Sequence, residues 1–227
     1  MIKKHIPNFL TCANLFSGCV GAIYAFEGNL KAVAYFVILS GIFDFFDGFA
    51  ARLLNVKSEI GKELDSLADV VSFGFVPGIL FYQLLQVENA NSFIPYLGFL
   101  VTIFSALRLA KFNIDTRQTE DFIGVNTPMN TFLVISLPYL ADEYNFINST
   151  WFLLPLIVTL SLLLVSELKL FSMKIGKDLS WNTNKYRFIF LILSIASLLL
   201  FKGFAGIPLV FVFYIVFSLI HFKKETN

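Results

Sequence analysis

Residues 44–69 read DFFDGFAARLLNVKSEIGKELDSLAD, and this stretch sets four aspartates between two long apolar runs. Asp44 and Asp47 are three residues apart, and Asp65 and Asp69 are four residues apart. Both spacings place the two side chains of a pair on one face of an α-helix. We therefore predict two helices joined by a short loop, which brings both acidic pairs to one place.

The composition predicts that these helices lie in a membrane. Of the 227 residues, 57% are hydrophobic and only 15% are charged, whereas ordinary soluble domains carry about 25% charged residues. A transmembrane helix needs about 20 mostly apolar residues. We predict an all-α integral membrane protein with about eight transmembrane helices, forming a single membrane domain over residues 1–227. The predicted spans are approximately 8–26, 30–53, 64–86, 93–111, 127–142, 150–167, 186–202 and 206–222.

The basic residues predict the orientation. Lys and Arg gather in the cytoplasmic loops of membrane proteins, and a cytoplasmic N-terminus leaves only Lys31 and Lys202 of the 17 on the outer side. We predict a multi-pass protein of the cell membrane, with both termini and the acidic site in the cytoplasm. Nucleic acid is not an expected partner, because these basic residues suit a membrane surface. The predicted cytoplasmic residues are Lys3, Lys4, Arg52, Lys57, Lys62, Arg108, Lys111, Arg117, Lys169, Lys174, Lys177, Lys185, Arg187, Lys223 and Lys224.

Four carboxylates at a membrane edge are costly unless a cation neutralises them. An ionised side chain within the membrane costs about 2.5–3.5 kcal/mol even on the lenient insertion scale. Hard divalent cations prefer such oxygen ligands, and the sequence has no Cys or His cluster that would suit zinc. We predict a site for Mg²⁺ or Mn²⁺ held by the four aspartates. The alternative is that the acids pair with Arg52, Lys57 and Lys62 at a wet helix end.

Small residues beside the first acidic pair predict that a phosphate-bearing substrate lies there. Gly48 removes a side chain next to Asp47 and lets a substrate approach the backbone closely. Ala51 continues that cleared surface. Arg52 offers two parallel hydrogen bonds to a phosphate.

The whole stretch resembles the signature of the CDP-alcohol phosphatidyltransferase family, D-x2-D-G-x2-A-R-x8-G-x3-D-x3-D. Every fixed position is matched without insertion, by Asp44, Asp47, Gly48, Ala51, Arg52, Gly61, Asp65 and Asp69. The resemblance implies that an alcohol displaces CMP from a CDP-linked lipid. It also implies a homodimer and a six-helix core, at about residues 1–170, with additional C-terminal helices at about 186–222.

The resemblance further implies roles for individual residues. The four aspartates hold the metal ions that bridge the diphosphate, and Asp69 is the expected general base. For Asn8 and Thr11, a role at the start of the first helix is the alternative to a nucleotide contact. The residues expected against the CDP-lipid are Asn8, Thr11, Gly48, Ala51, Arg52, Ser58 and Gly61.

Segments outside the signature resemble the bacterial phosphatidylserine synthases of this family. They include residues 7–18 and the sequence LRLAKFN at 107–113. This resemblance implies CDP-diacylglycerol as donor and L-serine as acceptor. Arg108 or Lys111 is expected to bind the serine carboxylate, and Asn113 to add a hydrogen bond. The alternative for Arg108 and Lys111 is contact with lipid headgroups.

Two other functions stay open from the sequence. The first is the same chemistry with glycerol phosphate or inositol phosphate, which calls for a denser basic pocket than Arg108 and Lys111 provide. The second is a cation-coupled transporter, which would show repeated halves and broken helices; the sequence shows neither. One segment departs from the resemblance, since FIGVNTP at 122–128 has Asn126 where a proline is usual.

Overall fold

The computed structural model describes residues 5–56, 58–117, 121–172 and 181–225. Several of the basic residues used to predict the orientation lie outside this part of the chain. They are Lys3, Lys4, Lys57, Lys174 and Lys177, together with the side chain of Lys224.

Each predicted span contains a helix in the structure. The helices are α1 (Ile6–Phe26), α2 (Leu30–Leu53), α3 (Glu59–Asp69), α4 (Val76–Asn89), α5 (Leu100–Ile114), α6 (Thr127–Ala141), α7 (Thr150–Val165), α8 (Trp181–Leu200) and α9 (Ile207–Glu225). A π-helical turn, Val70–Phe75, joins α3 and α4 into one continuous rod, and a 3₁₀ turn, Ile94–Phe99, leads into α5. The helix that contains the third predicted span, 64–86, begins earlier, at Glu59, because the polar first turns of α3 belong to the same continuous helix.

The length and apolar character of these helices make the chain a membrane-embedded, essentially helical protein. Helix α7 is apolar but shorter than a full span. In the described part of the chain, five helical segments are long and apolar enough to cross a bilayer: Ile6–Phe26, Leu30–Leu53, Glu59–Asn89, Ile94–Ile114 and Phe204–Lys223.

Within this all-α fold, one short element is not helical. β1 (Phe122–Ile123) pairs antiparallel with β2 (Lys169–Leu170). Gly124 follows β1 with φ +78°, and a Cβ atom there would lie 2.6 Å from the carbonyl oxygen of Leu164. Only glycine fits this conformation and this space. The pairing fixes the start of α6 against the end of α7.

Helix α1 buries a face of small and polar residues, including Thr11, Asn14, Ser17 and Gly18. At Gly18 there is no room for a Cβ atom, because the side chain of Ser72 occupies that space. Small residues let membrane helices approach closely. The close approach brings the polar side chains of α1 next to the acids of α2 and α3.

The π-helical turn Val70–Phe75 follows directly after Asp69. Such a turn adds a residue to the helix and loosens its backbone hydrogen bonds. Hydroxyl groups from neighbouring helices compensate, since Thr131 Oγ1 donates to the carbonyl of Phe73 at 2.7 Å and Thr102 Oγ1 donates to that of Gly74 at 2.9 Å. In a membrane, where water is absent, such side chains satisfy the freed carbonyls.

The hairpin of α8 and α9 packs onto the preceding helices. The ring of Phe204, in the turn of the hairpin, stacks on Tyr139 of α6 with centroids 4.4 Å apart and meets Tyr35 of α2 edge-on at 6.0 Å. Ser197 Oγ donates to the carbonyl of Gly206 at 2.9 Å and closes the turn. The two C-terminal helices thus extend the main bundle.

Candidate active site

The acidic cluster lies where the C-terminal part of α2 meets α3. Carboxylate oxygens of Asp44, Asp47 and Asp65 all lie within 4.8 Å of one another. Asp47 is buried, with 6% of its surface exposed, and the other two are half-buried. Three of the four aspartates predicted as ligands therefore converge on one point.

The chemistry of this cluster fits a divalent cation. Asp65 Oδ1 is buried, and no hydrogen-bond donor in the described part of the chain reaches it. Within those residues Arg52 and Lys62 make no ion pair with the aspartates, and Lys62 Nζ instead donates to the carbonyl of Asn113 at 2.8 Å. Lys57 lies outside the described residues; among those described, three close carboxylates without a basic partner are a ligand set for a hard divalent metal.

Asp69 lies one helical turn beyond Asp65 and outside the group of three. It is buried, with 8% exposed, and it accepts a hydrogen bond of 3.2 Å from Asn14 Nδ2. Asp69 is thus held apart from the other acids, next to the π-helical turn.

Helix α1 orients both groups of acids. Thr11 Oγ1 lies 2.7 Å from Asp47 Oδ2 and donates to it, while the carbonyl of Pro7 lies 3.1 Å from the same hydroxyl. Asn14, one turn further on, holds Asp69. Hydrogen bonds of this kind fix the direction of a metal-binding or proton-accepting carboxylate. The sequence does contain a signal for Asn14, because a polar residue three positions after Thr11 lies on the same helix face.

A first cavity, of about 330 Å³, opens on one side of the acids, and we call it the signature cavity. Ser58 Oγ caps α3 by accepting from the amide of Gly61 at 3.1 Å, and a Cβ atom on Gly61 would lie 3.0 Å from Asn8 Oδ1. All the residues predicted to contact the CDP-lipid line it except Arg52: they are Asn8, Thr11, Gly48, Ala51, Ser58 and Gly61. Asp47 and Asp65 form its inner wall.

A second cavity, of about 460 Å³, opens on the other side of the same acids, and we call it the C-terminal cavity. Arg52 lines this cavity. The opposite wall comes from distant segments that sequence reasoning missed, in particular Asn126, Ser172 and Tyr214. Asn126 also caps α6, because its Oδ1 accepts from the amide of Met129 at 2.8 Å. A helix cap is thus the structural role of the residue that departs from the family's usual proline.

The three predicted acceptor residues have different surroundings. Arg108 is buried, with 6% exposed; no described acceptor reaches its Nε, and its guanidinium lies 5.6 Å from the ring centroid of Phe112. Lys111 pairs with the exposed Glu167 at 2.5 Å. Asn113 Nδ2 donates to Ser66 Oγ at 2.8 Å. Of the three, only Arg108 is buried.

A polar network holds the far wall of the C-terminal cavity. Arg187 on α8 donates through Nε to the carbonyl of Ser172 at 3.0 Å and lies 3.4 Å from Asp121 Oδ1. Asp121 Oδ1 also accepts from the amide of Ser172 at 2.9 Å. The network ties α8 to the segment that follows β2, and so positions Ser172 at the cavity.

The fold and this site together define a membrane-embedded protein with a carboxylate site for a divalent metal between two cavities. Residues 4–166 match the model of the CDP-alcohol phosphatidyltransferase family. Because the match covers well over half of the chain, the protein belongs to this family. Family membership leaves no observation in favour of the transporter alternative.

Three curated relatives bear names that specify serine. The chain is 33% identical over 193 residues to the CDP-diacylglycerol–serine O-phosphatidyltransferase of Helicobacter pylori, covering 83% of this chain and 80% of the relative. It is 36% identical over 146 residues to the enzyme of that name from Bacillus subtilis, covering 63% and 78%. It is 30% identical over 168 residues to an archaetidylserine synthase of Methanothermobacter thermautotrophicus, covering 72% and 68%.

Proposed function

We propose that this chain transfers the phosphatidyl group of CDP-diacylglycerol to L-serine, giving phosphatidylserine and CMP. The observation that carries the proposal is the group of three carboxylates between two cavities, in a chain whose relatives are named for this reaction. One cavity suits the nucleotide of the donor, and the other suits the lipid-linked phosphate and the incoming alcohol.

Asp44, Asp47 and Asp65 hold the divalent cation, for which Mg²⁺ and Mn²⁺ are the candidates, and Asp69 is the candidate for a further ligand. When bound, the metal neutralises the negative charge that spreads over the diphosphate during transfer. Thr11 keeps Asp47 turned toward the cluster.

The signature cavity receives the CDP group. Its floor is cleared of bulk at Gly48, Ala51 and Gly61, so the nucleotide can approach the backbone of α2 and α3. Asn8, Thr11 and Ser58 contribute polar groups at its edge. Arg52 reaches the phosphates from the side of the C-terminal cavity.

Asp69 accepts the proton of the attacking hydroxyl. As the serine Oγ bonds to the lipid-linked phosphorus, its proton passes to the Asp69 carboxylate, and the bond from phosphorus to the bridging oxygen breaks so that CMP leaves with the electron pair. The hydrogen bond from Asn14 and the separation of Asp69 from the group of three suit this role.

Arg108 binds the serine carboxylate. Its side chain is buried, and its Nε has no acceptor among the described residues. A buried guanidinium nitrogen that no described acceptor reaches is available to donate to a carboxylate. Lys111 and Asn113 remain candidates for binding serine. Their side chains now contact Glu167 and Ser66, respectively.

The arrangement in the membrane is also a proposal. We propose one membrane domain over residues 1–227 with eight spans, both termini and the active site in the cytoplasm, and a homodimer. The distribution of Lys and Arg supports the orientation, and family resemblance supports the dimer. Labelling of single cysteines near each terminus from either side of sealed vesicles tests the orientation.

The reaction is tested by CMP release from purified protein supplied with CDP-diacylglycerol. Serine, glycerol phosphate and inositol phosphate are given separately, each with Mg²⁺, Mn²⁺ or a chelator. We expect release only with serine and a divalent metal. If CMP is released faster with glycerol phosphate or inositol phosphate than with serine, that alcohol is the acceptor and the serine assignment is wrong. If CMP is released without a divalent metal, the acidic cluster does not act as a metal site in the reaction.

A further inference from the structure

Helix α3 carries Asp65 and Asp69, but packing holds it only weakly. Of its 11 residues only Ala68 and Asp69 are buried, and the apolar side chain of Ile60 is 74% exposed. Close packing of side chains between helices is what normally fixes a helix in a bundle. Because α3 has little of this packing, its hydrogen bonds to neighbouring helices decide where its two acids lie.

Asn113, near the end of α5, contacts α3 at two points that are one helical turn apart. Lys62 Nζ donates to the backbone carbonyl of Asn113 at 2.8 Å, and Asn113 Nδ2 donates to Ser66 Oγ at 2.8 Å. Carbonyls in the last turn of a helix have no partner within that helix, and a positive charge is favoured there. We call Lys62, Ser66 and Asn113 the clamp.

Helix α5 also holds the continuous helix on the other side of Asp69. Thr102 Oγ1 donates to the carbonyl of Gly74 at 2.9 Å. Asp69 lies between this attachment and the clamp, three residues after Ser66 and five before Gly74. Asn14 of α1 donates to Asp69 itself. The segment that carries the acids is therefore fixed to α5 at both of its ends.

A metal site depends on how precisely its ligands are placed, to within about 0.5 Å. Asp65 is the one member of the group of three that comes from α3, and it lies between Lys62 and Ser66 in the chain. A shift of α3 would therefore move Asp65 away from the two acids of α2. The clamp is the part of α5 that opposes such a shift.

We propose that Asn113 is a positioning residue for the metal site and acts there rather than on serine; this rests on the metal site of the proposed function. By binding Lys62 and Ser66, Asn113 keeps the Asp65 carboxylate close enough to the acids of α2 to share one cation. Its carbonyl and its Nδ2 are both engaged by α3, as this role requires.

Removing the amide of Asn113 tests the proposal. We expect Asn113→Leu to weaken Mn²⁺ binding about tenfold, as loss of a partner outside the ligand set does. Electron paramagnetic resonance of free Mn²⁺ measures this on the purified protein without substrates. Asn89→Leu is the matched control, because it removes a bond of the same kind, from Asn89 Nδ2 to Thr150 Oγ1 at 2.6 Å, between α4 and α7. The control should bind Mn²⁺ as the unsubstituted protein does.

Ser66→Ala removes the other end of the same hydrogen bond and is a smaller change, so it serves also if Asn113→Leu does not fold. We expect a similar loss of Mn²⁺ affinity. The combined variant should bind no more weakly than Asn113→Leu alone, because the losses of two residues that share a contact are not additive. Unchanged affinity in Ser66→Ala, or losses that multiply in the combined variant, would overturn the proposal.

The KM for serine distinguishes positioning from direct contact with the acceptor. At saturating Mn²⁺ we expect Asn113→Leu to keep the KM for serine within twofold of the unsubstituted protein. If this KM rises about tenfold while Mn²⁺ affinity is unchanged, Asn113 binds serine and the clamp does not position the metal site.

Mn²⁺ binding without substrates also separates this inference from the proposed reaction. If the unsubstituted protein binds Mn²⁺ but releases no CMP, the proposed reaction is wrong, and the comparison of Asn113→Leu with Asn89→Leu still decides the role of the clamp. If the unsubstituted protein binds no divalent metal, the metal site is wrong and this inference is wrong with it.

Discussion

The signature cavity and the C-terminal cavity share Asp47, Gly48 and Asp65 yet are built in opposite ways. All residues lining the signature cavity fall between positions 7 and 65, on α1, α2, α3 and the loop between α2 and α3. The C-terminal cavity draws on positions 44 to 214, from α2, α3, α6, α9 and two loops. Local spacing along the chain encodes the first cavity, and only the tertiary fold assembles the second.

The largest effect should come from Asp47, because this side chain lines both cavities. Asp47→Asn keeps the shape of the side chain but removes a metal-binding charge. We expect turnover to fall at least about 1,000-fold, which corresponds to about 4 kcal/mol. CMP release measures it. Asp142→Asn is the matched control, because Asp142 pairs with Lys31 at the other end of the bundle, and a similar loss there would show that the effect is general destabilisation.

The next largest effect should come from Asp69, which separates proton transfer from binding. Asp69→Asn preserves the contact with Asn14 but cannot accept a proton, and we expect kcat to fall by about 100- to 10,000-fold. Metal-dependent binding of CDP-diacylglycerol, measured by equilibrium binding, should persist. Normal turnover would exclude Asp69 as the base, and lost binding would make it a metal ligand instead.

Arg108, which lines neither of the two cavities, tests where the serine carboxylate binds. Arg108→Lys keeps the charge but loses the planar pair of donors that a carboxylate prefers. We expect the KM for serine to rise about tenfold and the KM for CDP-diacylglycerol to stay within twofold. Arg117→Lys, at an exposed ion pair with Asp115, serves as control for the same exchange. If the KM values for serine and for CDP-diacylglycerol rise equally, Arg108 does not bind the serine carboxylate specifically.

The smallest effect is expected from the network behind the C-terminal cavity. Arg187→Gln removes the charge that joins Ser172 to Asp121, and the loosened wall should raise the KM for serine about threefold without changing kcat. Arg187→Lys should recover part of this loss. If kcat falls and the KM is constant, Arg187 acts on the reaction itself rather than on the position of the wall.

The same contrast explains how much of the site could be predicted. The helical spacing of the four aspartates predicted that both pairs meet, and Asp44, Asp47 and Asp65 do meet. The separate position of Asp69 was not predictable, since the hydrogen bond from Asn14 comes from another helix. Ser172 and Tyr214 had no signal at all, because each is an ordinary residue until the fold brings it to the acids.

The fold shows a similar division. Apolar runs located every helix, since the period and length of such runs report on local structure. The start of the rod at Glu59 was missed because its first turns are polar and leave the membrane. Pairing between Phe122–Ile123 and Lys169–Leu170 is too short to leave a pattern, and it depends on contacts between distant parts of the chain.

The π-helical turn Val70–Phe75 changes the direction in which side chains point along the continuous helix formed by α3 and α4. One additional residue in a helix rotates everything beyond it by about 100° relative to what precedes it. The acids Asp65 and Asp69 therefore point in a different direction around the helix axis from the α4 side chains that pack in the core. If the helix were an uninterrupted α-helix, rotating it so that the acids point in this direction would also turn Leu80 and Leu84 out of the core. The turn therefore sets a fixed angle between the two faces, which lets the acids face the site while Leu80 and Leu84 stay in the core.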